Sequence, residues 1–225
     1  MLLKNKAIKA VIFDLDHTLI RSGIDFSEMK TKIVDYLEQQ FPSLEELDKS
    51  RPTYEITRSL IETLQKQGLR EVIPKTMEEI NRIMNDAEMA YASAATLIEG
   101  AVSTLRRLKA AGIKIGILTR SCRQYTEEVL KNTGLSAFVD AVAARDDCPN
   151  PKPDPEQVYW LMEEMKVNPD EVIMVGDHPV DALCAKNAGI GFVGVLTGSW
   201  KTEQTRQLGP AVIPSVSELP DLLNV

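Results

Sequence analysis

Short apolar β runs alternating with helical stretches leave this chain few ways to fold. Ala10 to Phe13 carries no polar residue, and a strand of that kind belongs inside a sheet covered on both faces. Downstream the pattern predicts a helix over 101–111 ending at Gly112, a strand over 113–118 and a helix over 122–133 ending at Gly134. A strand over 138–143, a helix over 155–166, a strand over 172–175, a helix over 179–188 and a strand over 192–196 follow. A last strand at 211–213 and a short helix at 217–222 close the series. Strands joined through helices imply parallel pairing with right-handed crossovers. The expected class is α/β, a Rossmann-like doubly wound parallel sheet, with its ligand site beyond the carboxyl ends of the strands.

The series is interrupted. From Ile24 to Glu99 the only glycine is Gly68, whereas prolines crowd at 149, 151, 153 and 155. The first stretch should be helical and the second a rigid loop. Phe26, Met29, Ile33 and Leu37 form one apolar stripe; Ile56, Leu60 and Leu64 form a second; Met77, Ile80, Met84, Ala87 and Tyr91 form a third. Ser43 with Glu46, and Thr76 with Glu79, have capping-box spacing. Residues 20–97 are therefore expected to form an inserted α-helical domain, and residues 1–19 with 98–225 the sheet core.

Composition excludes several classes of function. In 225 residues, 26 Lys and Arg stand against 33 Asp and Glu, a formal charge of −7. That disfavours a broad surface for nucleic acid or anionic lipid, while a local site for a small anion remains compatible. Apolar residues at 44% and charged residues at 26% are the balance of a globular protein without a membrane span. Cys122, Cys148 and Cys184 form neither a disulfide pattern nor a zinc cluster. The apolar run at 10–13 is too brief for a signal peptide, so a cytoplasmic location is expected.

Chemistry-bearing residues gather at the predicted strand ends. The first strand runs into Asp14-Leu15-Asp16-His17-Thr18, the second into Thr119-Arg120, and the strand over 172–175 into Gly176-Asp177-His178-Pro179-Val180-Asp181. The proline-rich loop carries Lys152 between Pro151 and Pro153, which fix its backbone. In a parallel sheet these groups converge. Asp14, Asp16, Asp177 and Asp181 would set four negative charges against the one of Lys152, a repulsion that calls for a cation. Oxygen ligands alone favour Mg²⁺ over zinc.

Asp14-Leu15-Asp16-His17-Thr18, Thr119, Lys152 and Gly176-Asp177 followed by Asp181, in this order, resemble the four motifs of the haloacid dehalogenase superfamily. The resemblance covers roughly 1–19 and 98–200, and the phosphoglycolate phosphatase-like branch looks closest. The insert matches the position and size of that superfamily's helical cap. The resemblance implies a Mg²⁺-dependent phosphomonoester hydrolase acting on a small phosphorylated metabolite, with the cap closing over the site. Asp14 would be the nucleophile that becomes an aspartyl phosphate, and Asp16 the acid and base. Thr119 and Arg120 would hold the phosphoryl group, with backbone N–H groups of a helix capped by Ser121 and Gln124. Lys152 would pair with Asp14 and the phosphoryl group. The metal ligands would be Asp14, Asp177 and the backbone carbonyl of Asp16, with Asp181 supporting.

Other readings stay open. Asp181 also suits the first turn of a helix on dipole grounds alone. His17 and His178 flank the motifs without a role the family requires, and His17 stands where glycine is common. Lys49, Arg51, Tyr54 and Arg58 in the insert, and Arg21 after the first motif, are candidates for a substrate carboxylate or second phosphate, or simply solvated charges. Arg51 is the one expected to bind substrate. The motifs serve equally a phosphomutase of the β-phosphoglucomutase type, and a catalytically silent binding protein could use the same scaffold. A monomer and a homodimer are both compatible with the sequence.

Overall fold

The structure is a computed structural model that describes residues 7–42, 49–198 and 211–225. Six parallel strands form its sheet: β1 (Ala10–Phe13), β4 (Lys114–Leu118), β5 (Ala141–Ala143), β6 (Val172–Gly176), β7 (Gly191–Val195) and β8 (Ala211–Ile213). Their order is β5-β4-β1-β6-β7-β8. Helices α4 (Ala101–Ala110), α5 (Arg123–Asn132), α6 (Glu156–Met165) and α7 (Pro179–Ala188) connect or flank them, and α8 (Leu219–Leu223) ends the chain. The α/β class follows from burial: β1 and β6 are buried along their whole length, so both faces of the sheet must be covered.

The connectivity decides where a site can lie. From the central β1 the chain builds outward through β4 and β5, then returns to build outward through β6, β7 and β8 on the other side. The direction of winding thus reverses beside β1, and the crevice at its carboxyl end is the switch point that such sheets use for ligands. Ladder hydrogen bonding continues just past the strand ends: the Asp14 N–H donates to the Val175 carbonyl at 2.8 Å and the Thr119 N–H to the Ala143 carbonyl at 3.0 Å. Both residues are consequently held by the sheet itself and not by a free loop.

One strand limit differs from the sequence pattern for a visible reason. The strand expected from 138 starts at Ala141, because Leu135–Ala137 winds into a 3₁₀ turn closed by the Phe138 N–H on the Leu135 carbonyl. Asp140 then bridges to β4, its backbone N–H donating to the Ile115 carbonyl while its carboxylate accepts from the Ile115 N–H.

The chain divides into two compact units, one of residues 1–23 and 91–225, the other Ile24–Ala90. Residues 20–23 and 91–97 go with the sheet because β2 (Ile20–Arg21) and β3 (Thr96–Leu97) pair as a small antiparallel ribbon. The second unit contains α1 (Phe26–Gln40), α2 (Thr53–Lys66) and α3 (Ile73–Met89). Its core gathers Met29, Ile33, Val34, Leu37, Ile56, Leu60, Leu64, Ile80 and Met84. Asp25 caps α1, its carboxylate accepting from the Ser27 and Glu28 N–H groups.

The stripes overreach at their ends. Phe26 stands at the first position of α1 and is 39% exposed. Tyr91 lies past the end of α3 and against Gly23. Thr76 is not a cap: α3 begins earlier, at Ile73 with Pro74 in its first turn, and the Thr76 hydroxyl donates back to the Val72 carbonyl at 2.9 Å. The Ser43–Glu46 pair lies outside the described residues. Leu37→Ala should therefore cost this unit about 2–5 kcal/mol, whereas Phe26→Ala, on the same stripe but half in water, should cost under about 1.5 kcal/mol. Urea unfolding of the two variants measures the difference.

Candidate active site

Asp14 leaves the end of β1, and Lys152 comes from the loop between β5 and α6. Its ammonium donates to Asp14 Oδ1 at 2.5 Å and to Asp181 Oδ1 at 2.8 Å, with the lysine side chain only 2% exposed. Burial of a lone ammonium would push its pKa down, but Asp14 and then Asp181 more than offset this, and the net shift is upward. Lys152 is thus charged at any working pH.

The carboxylates outnumber it. Asp14, Asp177 and Asp181 are all buried and each offers an oxygen within 4.8 Å of the others. Burial pushes the Asp14 carboxyl well above the ordinary aspartate value of 3.8; Lys152 pulls it back, while Asp181 and Asp177 push it further up. Three acids facing one base leave negative charge in a site with little water to screen it.

Local backbone explains how Asp181 and Asp177 reach this point. Asp181 sits in the first turn of α7, where its Oδ2 accepts from the His178 N–H at 3.0 Å as half of a capping arrangement. Its other oxygen is the one that takes Lys152. Any side chain at position 176 would force Asp181 to shift, since a Cβ on Gly176 would lie 2.4 Å from Asp181 Oδ2. Asp177 accepts a hydrogen bond from the Thr18 hydroxyl at 3.3 Å. Its other face meets the backbone after β7, where a Cβ on Gly198 would lie 1.7 Å from Asp177 Oδ2. Beside it the Thr197 hydroxyl donates to the His17 carbonyl at 2.6 Å.

One of the two histidines has a structural explanation. His178 is the N-cap of α7, its Nδ1 accepting from the Val180 N–H. Burial holds its pKa down, with Asp181 and Asp177 opposing, which fits a neutral ring acting as acceptor. His17 has φ +61°, the left-handed region that glycine enters at least cost and that other residues enter at about 1–2 kcal/mol.

Asp16 stands apart from the three-acid cluster. Its Oδ2 accepts from the Ser121 hydroxyl and its Oδ1 from the Tyr125 hydroxyl, both at 2.9 Å. Ser121 is thus not the expected cap of α5; the N-cap is Cys122, without a side-chain hydrogen bond. The Ser121 N–H instead donates to Thr119 Oγ1 at 3.0 Å, and the Arg123 N–H to Asp146 Oδ1 at 2.7 Å. Two N–H groups expected to bind an anion at this turn are already satisfied, and the Thr119 hydroxyl keeps its own proton to donate.

Arg120 reaches sideways. Its guanidinium donates to the Lys152 carbonyl, and its own carbonyl accepts from the buried Arg145 at 2.7 Å. It ties the turn after β4 to the lysine loop. In the helical unit Lys49 pairs with Glu38 at 2.9 Å, Arg58 with Glu62 at 3.0 Å, and the Tyr54 hydroxyl donates to Glu55 at 2.9 Å. Arg51 is exposed before α2, and Arg21 is exposed on β2. Tyr125, Arg145, Thr197 and Gly198 escaped the sequence reading, and Ser121 entered it only as a helix cap. Only Thr18 and Gly176 stood inside motifs already quoted, because the others depend on which loops the fold brings together.

Residues 11–195 match the model of the haloacid dehalogenase-like hydrolases. Over 225 aligned residues, 98% of this chain and 97% of the relative, the chain is 33% identical to pyrophosphatase PpaX of Bacillus velezensis. It is 28% identical to phosphoglycolate phosphatase of Vibrio cholerae over 86% of each chain. The fold is similar to that of a hydrolase from Pseudomonas syringae, with a TM-score of 0.71 at 20% identity over 96% of this chain and 98% of that one. With Asp14 at the end of the switch-point strand and the family match spanning most of its length, this chain belongs to the haloacid dehalogenase-like hydrolase family.

Proposed function

We propose that the chain is a Mg²⁺-dependent phosphatase that hydrolyses a small phosphorylated metabolite through an aspartyl phosphate on Asp14. The observation that carries this reading is the buried Lys152 ammonium between Asp14 and Asp181, with Asp177 adding a third carboxylate. Three carboxylates and one ammonium fit a divalent cation on charge, and an all-oxygen donor set fits Mg²⁺ on ligand type. Asp14, Asp177 and the backbone carbonyl of Asp16 would hold it. When bound, it supplies positive charge beside the phosphoryl oxygens and lets Asp14 stay ionised.

The remaining work falls to the chain. An Asp14 carboxylate oxygen attacks phosphorus while Asp16 gives its proton to the departing alcohol oxygen. Water then attacks the acyl phosphate, Asp16 takes the water proton, and the Asp14 carboxylate leaves with the bonding pair. Lys152 keeps Asp14 oriented and neutralises part of its charge, Asp181 keeps Lys152 in place, and the Thr119 hydroxyl donates to a phosphoryl oxygen. Relatives named pyrophosphatase and phosphoglycolate phosphatase suggest small, doubly anionic substrates.

Purified protein with Mg²⁺ should release phosphate from p-nitrophenyl phosphate, and Asp14→Asn should lower kcat by about 10³-fold or more. A panel of pyrophosphate, 2-phosphoglycolate and hexose phosphates identifies the substrate class, and interconversion of hexose phosphates without phosphate release would favour a mutase. Gly176→Ala forces Asp181 off Lys152 and should reduce kcat by about 10-fold or more while Mg²⁺-dependent turnover persists. Stability offers a test independent of turnover. Because the Asp14 pKa is raised in the native state, its stabilising contribution is full below about 3.8 and is lost as pH rises through the native value. Mg²⁺ favours the carboxylate, so it should raise Tm more at pH 8 than at pH 5. A gain from Mg²⁺ that does not grow as pH rises counts against Asp14 as a ligand.

A further inference from the structure

Among the described residues, no lysine or arginine pairs with Asp16. Its carboxyl is instead gripped by two hydroxyls, one on each oxygen, both bonds 2.9 Å long and buried. Two donors on opposite oxygens fix the plane of a carboxyl group as well as its position.

Both donors stand on rigid supports. Ser121 has its N–H on Thr119 Oγ1 and its carbonyl accepting from the Arg145 N–H at 3.0 Å, so its hydroxyl projects from a pinned backbone. Tyr125 is 0% exposed on the first turns of α5. A buried tyrosine hydroxyl needs a partner, and this one's acceptor is Asp16. The turn that carries Thr119 also carries the residues that aim Asp16.

We propose that Ser121 and Tyr125 are positioning residues that hold the Asp16 carboxyl at the angle needed to pass its proton to the leaving oxygen. This rests on the acid role given to Asp16 above. In the step they serve, the phosphorus–oxygen bond of the ester breaks as the carboxyl proton moves to that oxygen, leaving Asp16 as carboxylate. Neither hydroxyl exchanges a proton with substrate.

A leaving group that departs readily as an anion does not need this proton, and an alkoxide does. The test measures alcohol release in the first turnover from p-nitrophenyl phosphate and from glycerol 2-phosphate, with Mg²⁺. Tyr125→Phe keeps the ring and removes only the hydroxyl. It should slow the alkyl ester by about 10–100-fold and the nitrophenyl ester by less than about 3-fold, with KM unchanged. Ser121→Ala should bias the reaction the same way, and the double variant should approach the discrimination shown by Asp16→Asn. Equal slowing of both esters by Tyr125→Phe and by Ser121→Ala overturns the proposal and leaves the pair a packing role. If Asp16→Asn itself slows both equally, the acid assignment fails and takes the proposal with it. Should Tyr125→Phe not fold, Ser121→Ala decides alone, since it deletes one oxygen at a turn whose backbone bonds remain.

Discussion

The site is organised around one ammonium group taken out of water. Burying a lysine is costly unless its charge is met at close range, and Lys152 meets two carboxylates. Each partner is itself fixed by a different element: Asp14 by the end of β1, Asp181 by the first turn of α7. The lysine therefore joins the carboxyl end of the central strand, the loop after β5 and a helix start into one object. Arg120 extends the same object to the turn after β4 by holding the Lys152 carbonyl. Losing Lys152 would leave buried carboxylates without their cation, a far larger penalty than the loss of a surface ion pair.

Two aspartates only two positions apart are given opposite surroundings. Asp14 has a cation at 2.5 Å and other carboxylates nearby; Asp16 has two neutral hydroxyls. Burial and the neighbouring acids push the Asp14 carboxyl up, and the ammonium opposes them by favouring its ionised form. Hydroxyls can donate or accept, so they can keep hold of a group through the gain and loss of a proton. Environments that push neighbouring acids toward different tasks are the physical basis for dividing acid from nucleophile.

Much of this was legible in the sequence because the information was local. The apolar run at 10–13, the paired acids after it and the glycine-aspartate at the end of β6 are each local in sequence, so period and spacing expose them. The helical insert was visible in three stripes, whose inner members are buried or partly buried and whose ends, Phe26 and Tyr91, are exposed; a stripe reports a face but not where the neighbouring helix stops. The hydroxyl clamp on Asp16 was not legible. Ser121 was read as a cap because serine before a helix commonly caps it, and nothing local says that Asp16, 105 positions away, competes for that hydroxyl. Arg120 was read as an anion binder for a similar reason, since only the fold shows the carbonyl it meets.

Small residues are the steric counterpart of the charge cluster. Carboxylates can be brought to within hydrogen-bonding range of one ammonium only if nothing else occupies the space, and Gly176 and Gly198 are where the backbone leaves it. The first lets α7 fold Asp181 back over the strand end; the second lets the segment after β7 lie directly on Asp177. That close backbone helps keep the acids buried, and burial raises the Asp14 pKa while Asp14 and Asp181 hold the Lys152 charge against the same burial. The same exclusion of water that makes the charges expensive makes them effective on a phosphoryl group, because unscreened dipoles and charges act most strongly where the dielectric is lowest.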